Sequence, residues 1–190
     1  MFLRIFRRNP EKRRAQALYA EMVARARQPA LYKEMGVPDT FDGRFEMIVM
    51  HVAVFITALR AKADETTDKS TQKQIENIAQ GLFDAMFKDM DLSIREMGVG
   101  DLGVPKHMRR MMTGFNGRLH QYAAAFDDGG RDAMATAIRR NVYGTLADKA
   151  VKPAKLSKMV DYALGFRHAM EIMSLDDLVT MADSGDKKAA

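Results

Sequence analysis

A chain of 190 residues is long enough to bury a sizeable core and is most simply one domain; its apolar (47%) and charged (29%) contents are those of an ordinary globular protein. Cysteine is absent, which excludes disulfides, thiolate metal sites and cysteine nucleophiles. The net charge of +5 is uneven: residues 1–33 carry nine Lys/Arg against two Glu (+7), and the remainder carries 21 against 23 (−2). The basic character therefore belongs to an N-terminal arm, which argues against a nucleic-acid-binding face on the body of the protein.

No apolar run reaches the length of about 18 residues needed to cross a bilayer. The longest, Met47 to Leu59, is interrupted by His51 and Thr57 and suits a buried helix. The N-terminus lacks the apolar core of a signal peptide. It does place Phe2, Leu3, Ile5 and Phe6 beside Arg4, Arg7 and Arg8, and Arg13 and Arg14 follow. Such an arm can lie in an anionic membrane interface or against ribosomal RNA; the ordinary alternative is a solvated basic tail.

In chain order, apolar spacing predicts a helix from Pro10 to about Arg27, ended by Pro29, and a short helical piece holding Leu31, Tyr32 and Met35, ended at Gly36-Val37-Pro38. A helix over about Thr40–Lys62 is apolar on nearly every side between Met47 and Ile56, so it belongs at the centre of a bundle. A polar linker over Ala63–Ser70 follows. The next helix, capped by Ser70 or Thr71, carries one stripe: Ile75, Ile78, Ala79, Leu82, Phe83, Met86, Phe87, Met90, Ile94 and Met97. Asp84–Lys88 and Asp91–Arg95 are i,i+4 pairs on its polar side. Gly98 is the expected terminator.

Pro105 opens a helix to about Phe126, with Met108, Met111, Met112, Phe115, Leu119 and Tyr122 on its apolar face. Asp127-Asp128-Gly129-Gly130 reads as a break. A helix over about 131–145 turns Met134, Ile138 and Val142 inward, and Pro153 starts a long helix to about Met173. A last helical turn is expected over Leu175–Ala182 and disorder over Asp183–Ala190. No alternating strand pattern is present, so the expected fold is an all-α, single-domain helical bundle. Residues 1–29 form the arm and first helix, 30–182 the helical domain and 183–190 the tail.

Little here points to an enzyme. None of His51, His107, His120 and His168 lies i,i+4 from another, so no metal site is expected. Gly98-Val99-Gly100-Asp101-Leu102-Gly103 has the Gly-x-Gly-x-x-Gly spacing but follows a helix, not the strand a dinucleotide site requires. His51 admits two roles: a buried, hydrogen-bonded imidazole, or contact with a haem or quinone. The 16 methionines are core filler or the lining of an adaptable groove. The densest charges are Asp42, Arg44, Glu46, Asp84, Lys88, Asp89, Asp91, Arg95 and Glu96, close to the Gly98–Pro105 turn. Lys106, Arg109 and Arg110 then oppose the dipole of the helix they begin, which implies a partner or a nearby carboxylate, with Asp101 the nearest candidate.

Two blocks carry a resemblance to a known family. One runs from Leu31-Tyr32-Lys33-Glu34-Met35-Gly36-Val37-Pro38-Asp39-Thr40-Phe41-Asp42-Gly43-Arg44-Phe45-Glu46 to His51. The other runs from Leu82-Phe83-Asp84 to Met111 and includes Arg95-Glu96-Met97-Gly98-Val99-Gly100-Asp101 and Val104-Pro105-Lys106. They resemble the ubiquinol–cytochrome c chaperone family over roughly residues 30–175. The resemblance implies a non-enzymatic, cofactor-free assembly chaperone. Its client would be newly made cytochrome b, with a small partner subunit and with peripheral membrane or ribosome contact. It would act on the cytoplasmic side of the inner membrane, or on the matrix side in a mitochondrion. The partner surface expected from the charge density, the glycine-rich turn and both blocks is Asp42, Arg44, Glu46, Asp89, Asp91, Arg95, Gly98, Gly100, Asp101, Gly103 and Pro105; the alternative is that these charges cap and staple the two helices together as a structural network.

Overall fold

The structure is a computed structural model that describes residues 10–147, 150–174 and 177–178. Among these, seven α-helices account for the fold: α1 Pro10–Ala26, α2 Pro29–Lys33, α3 Phe41–Glu65, α4 Lys69–Glu96, α5 Val104–Ala124, α6 Gly130–Asn141 and α7 Pro153–Ile172. The all-α fold agrees with the periodicity. The expected turn over Leu175–Ala182 (save 177–178), the tail Asp183–Ala190, and Arg4, Arg7 and Arg8 lie outside the described residues.

Helix α3 is the axis. Met47, Val49, Met50, Val52, Ala53, Val54 and Phe55 are all buried, as a helix without a polar face must be. It packs against α1, α4, α5 and α7, while α6 closes the far side against α5 and α7. The first helix is no mere extension of the arm: Leu18, Met22 and Ala26 share the main core. The methionines are chiefly core filler. Met22, Met47, Met50, Met86, Met90, Met134, Met159 and Met170 are all buried.

Several boundaries differ from the sequence reading. Helix α3 runs on to Glu65, and the linker shrinks to three residues. The cap of α4 is Asp68, whose carboxylate accepts from the backbone N–H of Ser70 and of Thr71. A carboxylate at a helix N-terminus also complements the dipole, which favours Asp68 over the hydroxyls after it. The stripe of α4 is buried from Ile75 to Ile94, but Met97 is exposed because the helix ends there. Met112, expected on the inner face of α5, is 40% exposed. Asp84 accepts from Gln80 rather than pairing with Lys88. The stretch read as a break after α5 is a π-helical turn, Ala125–Gly129, which leads directly into α6.

Polar ties lock the helices at a distance in sequence. Tyr19 donates to the Asp89 carboxylate at 2.7 Å, joining α1 to α4, and burial with that carboxylate pushes its phenol far up. The Tyr143 hydroxyl donates to the Met35 carbonyl at 2.7 Å. Arg167, almost wholly buried on α7, donates to Thr57 at 2.9 Å, pairs with Glu171 and stacks over Phe126.

Candidate functional site

The charge cluster read from the sequence is divided among four places. Glu46 lies on the inner side of α3, where Arg118 of α5 grips it through two donors; the side chains are 12% and 26% exposed. Burial works against charge on Arg118, and the hydrogen bonds and attraction of Glu46 outweigh it, so its guanidinium is held more firmly protonated than usual. This pair forms one wall of an open cleft of about 680 Å³ between the start of α3, the middle of α5 and the end of α6. Asp42, Phe41 and Phe45 line it from α3, Arg110 and Met111 from α5, and Arg140 from α6. Met111 is the single methionine in the lining, so this is not the methionine-lined groove that composition allowed.

Arg44 points elsewhere. It pairs with Asp39 at 2.6 Å on an exposed surface, beside Tyr32, Arg27 and Lys33 in a smaller pocket of about 240 Å³. Asp89 is occupied by Tyr19 on the α1 side.

Asp91, Arg95 and Asp101 form the fourth place. Arg95 donates to Asp91 at 2.8 Å and also to Asp101, bridging the last turn of α4 to the following loop. Asp101 is thus taken by Arg95. Lys106, Arg109 and Arg110 have no carboxylate partner among the described residues, contrary to the expectation that Asp101 would serve them.

The glycines explain the corner itself. Gly98 has φ +83, its N–H bonds back to the Arg95 carbonyl, and the Val99 N–H reaches the Ile94 carbonyl. That pair of bonds is a Schellman ending, and a left-handed residue at its centre favours glycine. Gly100 then accepts from the Gly103 N–H, Gly103 caps α5, and Pro105 occupies the first turn, where a missing N–H costs nothing.

His51 is fully buried. A carbonyl can only accept, so Nδ1–H donates to Met47 O at 2.7 Å, and Nε2 accepts from the Tyr162 hydroxyl at 2.6 Å. Burial lowers its pKa to about 4, so the ring is neutral. Both nitrogens are used, and the ring has no open side to offer a haem or quinone. Among the described residues no group of three or more His, Asp or Glu could hold a metal ion, and no helix is long and apolar enough to cross a membrane. Of the expected arm residues, Arg13 is exposed and Arg14 half-buried in the first turns of α1.

Sequence reasoning missed Arg118, Arg140 and Phe41. Arg118 sits 72 positions from Glu46, and no local pattern announces such a pair.

No curated protein sequence matches the chain. The structure is similar to the crystal structure of the Cbp3 homolog from Brucella abortus, with a TM-score of 0.73 and 32% identity over 96% of this chain and 94% of that one. The family model described as ubiquinol-cytochrome C chaperone matches residues 33–182, which include the charged cleft, the α4–α5 corner and the central helix. The chain therefore belongs to the ubiquinol–cytochrome c chaperone family.

Proposed function

We propose that this protein is a non-enzymatic chaperone for assembly of the ubiquinol–cytochrome c reductase complex, and that it holds newly made cytochrome b, together with a small partner subunit, at the inner membrane. Family membership supports the chaperone role. The observation that carries the client-binding reading is the open α3–α5–α6 cleft. Aromatic and aliphatic side chains sit there beside a half-buried ion pair and the unpaired Arg110. A polypeptide segment with an apolar side chain and a carboxylate fits such a lining, which sets aromatic and aliphatic surface beside the exposed Arg110.

The test separates binding from folding. Arg110 is exposed, and the Asp91–Arg95–Asp101 bridge lies on the surface, where ion pairs contribute little to stability. Arg110→Glu and Arg95→Glu are each expected to leave the melting temperature within about 3 °C of the parent. Capture of newly translated cytochrome b by tagged protein should fall in both. Undiminished capture in both variants would remove the cleft and corner from the client site.

A further inference from the structure

The corner between α4 and α5 has two properties that extend beyond the cleft. The first is apolar exposure on a convex surface. Leu102, at the tip of the turn, is 100% exposed, and Met97, at the end of α4, is 57% exposed. A methyl group added at Gly98 or Gly100 would meet nothing within 4 Å, so these two positions of the turn face open space. Phe41, 61% exposed, belongs to the same end of the molecule, because it lines the cleft with His107 and Arg110 of α5's first turns.

The second property is charge. Lys106, Arg109 and Arg110 are exposed, with Lys106 one turn before the two arginines on α5, and have no carboxylate partner among the described residues. They sit at a helix N-terminus, the end that favours anions. Asp42 and Glu96 are the nearby acids without a partner; Asp91 and Asp101 are held by Arg95 and Glu46 by Arg118.

The geometry points to the α4–α5 corner as a lipid-inserting element: Leu102 and Met97 enter the interface of an anionic bilayer while Lys106 and Arg109 contact its headgroups. A protein partner needs a hollow to receive Leu102, or a hollow of its own around it. A fluid bilayer closes around a convex apolar tip of any shape, and cations spaced along a helix suit a continuous anionic surface. The contact is separate from the basic arm, and it brings the mouth of the cleft beside the membrane surface.

The chain contains no tryptophan, so one introduced indole reports from one place. Leu102→Trp, in the full chain, is mixed with phosphatidylcholine vesicles with and without phosphatidylglycerol. Its emission should shift to the blue and be quenched by brominated acyl chains on the anionic vesicles. Ile172→Trp serves as the control. Ile172 is also exposed (70%), but it lies at the opposite end of α3, where Lys62 donates to the Glu171 carbonyl. It should not shift. Lys106→Glu with Arg109→Glu should weaken co-sedimentation with anionic vesicles by at least about ten-fold at low salt.

Four results overturn the inference. The Leu102→Trp spectrum could remain that of an indole in water on vesicles that carry the protein, leaving the arm as the sole contact. The protein could fail to bind vesicles at all. Ile172→Trp could shift as much as Leu102→Trp. The Leu102→Trp shift could require a helix of cytochrome b and be absent with lipid alone, which would make the corner a client site. Capture of newly translated cytochrome b is measured apart from the first three, which use lipid alone, so either proposal can fail alone.

Discussion

His51 admits two roles from the sequence, and the structure gives it the buried, hydrogen-bonded one. Its tautomer is fixed by the Met47 carbonyl, its second nitrogen is spent on Tyr162, and the Phe166 ring lies 5.1 Å away. Its folded pKa, about 4, lies below the ordinary 6.5. Between those values the unfolded chain takes up a proton that the folded protein refuses. Stability from this residue is therefore complete above pH 6.5 and is lost as pH falls toward 4, by an amount of roughly 3 kcal/mol. Denaturant midpoints near pH 7 and pH 4.5 should differ more for the parent than for His51→Gln, which cannot titrate. Equal differences would show that His51 carries no such linkage. The burial was legible, since Met47–Ile56 has no polar face. The Tyr162 partner, 111 positions away, was not. The same holds for Arg118 with Glu46: a sequence shows that charge is dense but not which charges meet.

At the scale of elements, periodicity located the helices because each buries one stripe or, for α3, its whole circumference. It failed at the ends, where stripe and burial part company. Met97 continues the spacing of α4, yet the helix stops under it and the Gly98 turn carries the chain away from the core. The start of α3 holds a constraint that its apolar pattern hides. Gly43, in the first turn, is buried, and its N–H donates to Thr40 Oγ1. A Cβ there would sit 2.0 Å from the Pro38 carbonyl oxygen. Backbone cannot yield as a side-chain tip can, so the helix start or the 36–40 segment must move. Gly43→Ala should cost about 1–3 kcal/mol, even though alanine is the better helix former. A thermal melt should show a drop of about 2–4 °C per kcal/mol for a chain of this size. An unchanged or higher melting temperature would mean that the Pro38 contact relaxes freely. Because Asp42 and Phe41 flank this glycine, the same strain would reshape the α3 wall of the cleft.

For the whole molecule, the decisive pattern is where charge stands relative to the bundle. The body beyond residue 33 is nearly neutral, and some of its acids and bases meet in pairs, Arg95 with Asp91, Arg118 with Glu46, Arg131 with Asp161 and Arg167 with Glu171 among them. Two basic features stand out against it, the exposed Lys106, Arg109 and Arg110 of the α4–α5 corner and the charge surplus of the arm. The docking role proposed for the arm rests on its charge, and a deletion tests it once its boundary is chosen correctly. Ala15 and Leu18 are buried and α1 begins at Pro10, so removing residues 1–14 would cut into the core helix. Removing 1–9 takes away Arg4, Arg7 and Arg8 and leaves α1 whole. Each cation near an anionic surface is worth about 1 kcal/mol, so affinity for anionic vesicles should fall about a hundred-fold at low salt. The difference should shrink as salt shortens the screening length to about 8 Å at physiological ionic strength. The melting temperature should stay close to the parent's. The blue shift of Leu102→Trp should survive the deletion at raised protein concentration, because the corner's contact is made by other residues. Sedimentation with liposomes and with ribosomes that is unchanged by the deletion would leave the arm without a docking role and assign whatever attachment exists to the bundle itself.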